Sequence, residues 1–148
     1  MLNKTLTALF VRDLEALKKE IDLYSNEKSL WLVPEGISNS AGNLCLHLVG
    51  NLNHFIGATI GNTGYVRQRH LEFSQKDIPR AELIKQIDDT IQVVTLALET
   101  LSESDMQKAY AHQVFNEPMT TEYFLVHLTM HLAYHLGQIN YHRRLLDV

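Results

Sequence analysis

A chain of 148 residues, 45% hydrophobic and 20% charged, can bury one substantial core, roughly 70% of the surface its unfolded form exposes, without staples. Its formal charge of -4 gives no electrostatic reason to bind nucleic acid or an anionic membrane, so neither partner is expected. The single cysteine, Cys45, points to a reducing compartment, and the apolar run Leu6 to Val11 is broken by Arg12, Asp13 and Glu15, too soon for a signal peptide or a span; a cytoplasmic protein is expected.

Leu6, Leu9, Phe10, Leu14, Leu17, Ile21 and Tyr24 recur mostly at three and four, which predicts an amphipathic helix from Leu2 to about Tyr24. Ser25 to Ser40 breaks the period with Pro34 and Gly36 and reads as a packed loop anchored by Trp31. Asn39 or Ser40 offers an N-cap for a second helix running to about Ile60 and apolar over most of its circumference. Gly61 to Gly64 ends it, and Tyr65 to Ile78, lacking a clean period, is expected to be a long loop.

Asp77 with Pro79 marks the start of a third helix, carried by Leu83, Ile84, Ile87, Ile91, Val94, Leu98 and Leu101. Ser102 to Met119 is a polar connection with one short extended piece around Ala111 to Phe115, and a last helix spans about Thr120 to Leu146, with Arg143 and Arg144 at its negative end. Four long helices joined by loops of roughly 15 to 18 residues predict an all-α four-helix bundle, a single domain over 1–148. Loops beyond the usual 2 to 8 residues or so imply crossover connections or functional segments.

The last helix carries His127, His131, His135 and His142, spaced four, four and seven, and with Gln138 they fall within an arc of roughly 80°. A stripe of Leu125, Leu128, Leu132, Leu136 and Ile139 runs beside them, so the imidazoles border a core-facing surface. The second helix adds His47 and His54, within about 20° of each other on the edge of its own apolar stripe. Packing the two faces together converges imidazoles inside the bundle, a recurring place for metal sites. Axial distance limits the sets: His47 and His54 stand about 10.5 Å apart and His127 and His135 about 12 Å, so one ion takes either the 127/131 or the 131/135 pair. Three histidines without a carboxylate leave a fourth position open, as in catalytic and not structural zinc sites, while imidazole equally suits nickel, iron or copper.

The element His131-Leu-Ala-Tyr-His135-Leu-Gly137-Gln138-Ile139, preceded by Leu46-His47-Leu48, resembles the DinB/YfiT-like family of metalloenzymes. Gly50-Asn51 to Gly57, followed by Arg67-Gln-Arg69-His-Leu-Glu72-Phe73, is similar to one of its bacterial branches. The resemblance covers most of the chain and implies a DinB/YfiT-like four-helix bundle, commonly a homodimer. It also implies His47, His131 and His135 as ligands of a divalent ion, zinc or nickel foremost, with iron or manganese as further candidates. Some members transfer low-molecular-weight thiols to small-molecule substrates, so a metal-dependent thiol S-transferase or hydrolase is expected.

Two other functions fit the same pattern: a non-catalytic metal- or small-molecule-binding bundle acting as sensor or carrier, and histidines that merely pack in a core. His54, His70, His112, His127 and His142 read as packing or surface residues. Cys45, about 160° around its helix from His47, reads as a small buried hydrophobe. Gly50, Gly57 and Gly61, within about 40°, permit a close helix crossing. Asn51 and Gln138 are candidates to orient the ligands. Arg67, Arg69 and His70 either receive an anionic substrate or form a solvated loop cluster. Neutral imidazoles are needed for coordination, so metal is expected to leave below about pH 6.5.

Overall fold

The structure is a computed structural model and describes residues 1–148. It is all-helical. The four long helices are α1 (Leu2–Leu23), α2 (Ala41–Leu52), α4 (Arg80–Glu99) and α6 (Thr121–Leu146); two short ones, α3 (Arg69–Ser74) and α5 (Glu103–Gln107), lie in the connections. None is long and apolar enough to cross a membrane.

Among the long helices, α1 and α2 each pack on α4 and α6 and little on each other. The two consecutive helices therefore sit across the bundle from each other, which is why so long a connection joins them. Within it, a 3-10 turn (Glu27–Trp31) lays the Trp31 ring on Gly42, where a Cβ would come within 2.7 Å of three ring carbons. Trp31 anchors the loop as its position suggested. Ser40 is the N-cap of α2, its hydroxyl accepting from the Asn43 N–H at 3.1 Å.

Every residue of α2 from Ala41 to Leu52 is buried, making it the axis of the core. A π-helical turn (Asn53–Ala58) continues it, with Asn53 Nδ2 donating to Val49 O at 2.8 Å and to Thr90 Oγ1 at 2.9 Å. Further along, Gly57 would place a Cβ 2.8 Å from Val93 and Gly61 one 3.1 Å from Ala97, so these two glycines allow α4 to approach. Gly50 serves a different neighbour.

Three expectations change. The stretch 65–78 is not loop throughout, because α3 forms within it. Six residues cannot sustain a helix by propensity; α3 exists because Asn43 Nδ2 of α2 donates to Glu72 O at 3.0 Å and Gln75 O at 2.8 Å, bonds between segments that no local period reveals. Asp77 does not cap α4: it takes a left-handed φ of 57°, and Pro79 holds the N-cap position without a side-chain bond. The extended pairing in 102–119 falls at Ala109 opposite Thr120, not at 111–115, and α5 precedes it, held by a capping box of Ser102 and Asp105.

Since α2 touches α3, α4 and α6, removing volume from it is expected to loosen the whole bundle. Leu48→Ala, at a fully buried position, should cost about 2–5 kcal/mol in urea denaturation. A loss indistinguishable from zero would show that α2 is not the packed axis.

Candidate metal centre

His47 leaves the middle of α2, while His131 and His135 leave successive turns of α6, and the packing of α2 against α6 brings the three together. One ring nitrogen from each lies within 4.8 Å of the others. The Nε2 atoms of His47 and His131 are 3.2 Å apart, and the rings of His131 and His135 meet edge-on with centroids 4.6 Å apart. Of the two pairs that axial distance allowed, the structure joins His47 with 131/135. His127 stacks on His131 at 6.5 Å and against Phe115 at 4.9 Å, outside the cluster.

The other histidines go elsewhere. His54 sits in the π turn, stacked on His112 at 6.3 Å. A π turn bonds i to i+5 and breaks the phase that placed His54 below His47. His142 is buried and structural, accepting from Tyr24 OH at Nδ1 (2.7 Å) and donating from Nε2 to Leu32 O (2.8 Å). His70 is exposed. Cys45 is fully buried, and burial pushes its thiol pKa up to about 12, leaving an inert apolar side chain.

What orients the cluster is a residue the sequence reading did not single out. Glu72 of α3 is 6% exposed, and its Oε1 accepts from His47 Nδ1 at 3.0 Å. Arg67 grips the same carboxylate with Nε on Oε2 at 2.8 Å and Nη2 on Oε1 at 2.9 Å. Burial works to raise the Glu72 pKa, but the hydrogen bonds from His47 and Arg67 outweigh it and hold the carboxyl below its usual range. Gly50 makes the room: a Cβ there would lie 1.9 Å from Glu72 Oε2. The one available signal was a lone acid two residues after the basic run Arg67 to His70, but only the fold brings it to His47.

Gln138, one turn past His135, accepts from His135 Nδ1 at 2.7 Å, the orienting role expected of it. Asn51 does not fill the matching role, since its Oδ1 is buried without a partner. With Glu72 and Gln138 both accepting at Nδ1, His47 and His135 carry their protons on that nitrogen and present Nε2 lone pairs to the centre. His131 Nδ1 is buried without a partner. Burial first, and then the neighbouring His135, His47, His127 and Arg67, press the His131 pKa down to about 4, so this ring is neutral. His135 is lowered as well, by burial with help from His47 and against Gln138.

Three imidazoles with converging nitrogens suit a cation. Ligands about 2.0–2.1 Å from a tetrahedral zinc stand roughly 3.3 Å apart, close to the His47–His131 separation. Glu72 faces Nδ1, the far side of His47, so the cluster holds three donors and no fourth. Cavities open on both flanks: one of about 1090 Å³ beside His135 and Gln138, and one of about 250 Å³ beside His47 and His131.

The pH response of the metal-free protein follows from His131. A histidine depressed from 6.5 to about 4 on folding binds fewer protons than the unfolded chain across that window. The contribution of His131 to stability is complete above pH 6.5 and is lost as pH drops toward about 4. The urea midpoint of metal-free protein should decline over this range, and less steeply in His131→Leu. An equal decline in both proteins would remove His131 as the cause.

Residues 3–147 match the model of a family described as "Protein of unknown function (DUF1572)". The chain belongs to that family, which is DinB-like. No curated protein matches the chain.

Proposed function

We propose that this member of the DUF1572 family is a divalent-metal enzyme whose His47, His131 and His135 hold one ion, and that it transfers a low-molecular-weight thiol to, or hydrolyses, a small electrophilic substrate. The observation that carries the reading is the convergence of three imidazole nitrogens within 4.8 Å, two of their rings fixed with Nε2 facing inward by Glu72 and Gln138. Imidazole donors suit zinc, nickel, iron and copper, whereas manganese prefers oxygen donors.

Held by His47, His131 and His135, a divalent ion would supply Lewis acidity toward a water or thiol. The chain's own groups do the rest. Glu72 sets the tautomer and the orientation of the His47 ring. Arg67 keeps Glu72 ionised and in place. Gln138 does for His135 what Glu72 does for His47, without a charge. The cavities on the two flanks of the cluster would give a thiol and a second substrate separate approaches.

Because burial holds His131 neutral down to about pH 4, proton competition at this ring begins lower than the pH 6.5 read from free imidazole. The cytoplasmic reading rests on the lone, buried Cys45. The dimer reading rests on α6, whose Tyr123, Met130, Tyr134, Tyr141 and Leu145 leave an apolar outer surface more than 60% exposed.

Metal analysis of protein purified without a histidine tag should find close to one divalent ion per chain, and a large loss in His131→Ala. Equal, near-zero metal in both would end the metal reading. Glu72→Gln, which keeps the shape and removes the charge, should lower metal affinity by about 10–100-fold. Metal-reconstituted protein should conjugate a thiol to an electrophile in a mixed panel, and full metal loading with no turnover across it would count against catalysis. Sedimentation should show a dimer that Tyr134→Glu dissociates; a monomeric wild type sinks the dimer reading.

A further inference from the structure

The outer face of α6 carries the wrong residues for a surface left in water. From Tyr123 to Leu145 every exposed position except Gln138 and Arg144 is apolar or glycine, and no acid or lysine is exposed there. A helix facing solvent carries its charges on that side, so this face is one that another surface covers. Tyr123, Met130, Tyr134, Tyr141 and Leu145 are each 62% to 70% exposed. Together they offer on the order of 800 Å², the share each partner gives to an interface of standard size.

The stripe is also its own complement. Tyr134 and Tyr141 lie equally far on either side of a point between positions 137 and 138, and so do Met130 and Leu145. An antiparallel copy related by a two-fold axis through that point sets Tyr134 on Tyr141 of the partner subunit and Met130 on the partner's Leu145. Gly137 sits at the crossing, where a Cβ would meet nothing within 4 Å, so a second backbone has room to come close. Arg144, whose guanidinium lies over the Tyr141 ring at 5.5 Å, decides the direction. A parallel copy would bring Arg144 against the partner's Arg144, a like-charge contact, whereas the antiparallel one keeps them about 20 Å apart along the axis.

The same stripe borders the metal centre. Tyr134, Gly137, Tyr141 and Leu145 line the cavity of about 1090 Å³ together with His135 and Gln138, and the exposed segment Pro34 to Ser38 forms its facing wall. The Tyr134 ring meets His135 edge-on, with centroids 5.3 Å apart. Whatever covers the stripe therefore also covers the side of the cavity that opens to solvent. We propose that a second copy of this chain lies antiparallel along the outer face of α6, crossing at Gly137, and roofs the cavity beside His135. Each site is then completed by Tyr134 and Tyr141 of the partner subunit, which replace water on its open side. The proposal rests on the dimer reading, to which it adds a geometry and a shared site, and it needs no metal.

Cross-linking of the full-length protein with a short bismaleimide tests the geometry, and the fully buried Cys45 does not compete. Gly137→Cys, next to the axis, should link to its own copy. Met130→Cys should not, because its copies stand about 22 Å apart, but it should link to Leu145→Cys when the two proteins are mixed. Self-linking of Met130→Cys, or a protein that sediments as a dimer yet links neither at Gly137→Cys nor between Met130→Cys and Leu145→Cys, overturns the arrangement and leaves the dimer reading standing. A monomer at every concentration overturns both. The roof is read by maleimide labelling of Ser38→Cys, on the cavity's outer wall. Adding Met130→Glu, at an exposed position outside the cavity lining, should separate the copies and speed that labelling by about tenfold, with the fold checked by circular dichroism. Equal rates in the two backgrounds overturn the shared site.

Discussion

A carboxylate buried at the side of α2 governs the arrangement of the centre. Removing Glu72 from water is unfavourable unless its charge is matched and its lone pairs are used. The match is supplied by Arg67 on two atoms and His47 on a third contact. Gly50 is the only residue type that leaves space for the carboxylate against the helix. This requirement ties the 65–78 connection to α2, and Asn43 secures it a second time through the Glu72 and Gln75 carbonyls. A segment that looks like a spacer in the chain thereby becomes part of the wall that aims His47.

The consequence reaches across the bundle. With its Nδ1 proton committed to Glu72, His47 can offer only Nε2, and that atom faces His131. Gln138 imposes the same choice on His135 from within α6. The two helices contribute to the centre by different means: α6 carries its own orienting group one turn away, while α2, buried all round, borrows one from α3. Arg67 also passes 3.4 Å from His47 Nδ1, so its guanidinium adds positive potential behind the ring as it fixes the carboxylate.

How much of this could be read in advance depended on the range of the interaction. The four long helices follow from apolar residues at three and four, because burying one face is a local pattern repeated over many turns. The orienting role of Gln138 was legible for the same reason: a residue three positions away on a helix is a neighbour wherever the helix goes. Helix α3 was not, since six residues show no period and its stabilising bonds come from Asn43, about thirty positions earlier. His54 looked equivalent to His47 only under ideal helical phase, which the π turn interrupts. The Gly50, Gly57 and Gly61 stripe was visible as a close-approach surface, but its neighbours differ: a carboxylate of α3 at the first and side chains of α4 at the other two.

The amino-acid order by itself determined the helical class, the histidine faces on two helices, and the exclusion by axial distance of His54 from His47's ion and of His127 from His135's. Each of these depends on helix geometry, which is the same in any fold. Only the tertiary structure decided that the α6 pair is 131/135, that Glu72 is the partner of His47, and that Asn51 Oδ1 is buried without a partner. Those outcomes turn on how α2, α3 and α6 are placed against one another to within a few ångströms, and on the matching of a buried charge, neither of which is written in the periodicity of any single segment.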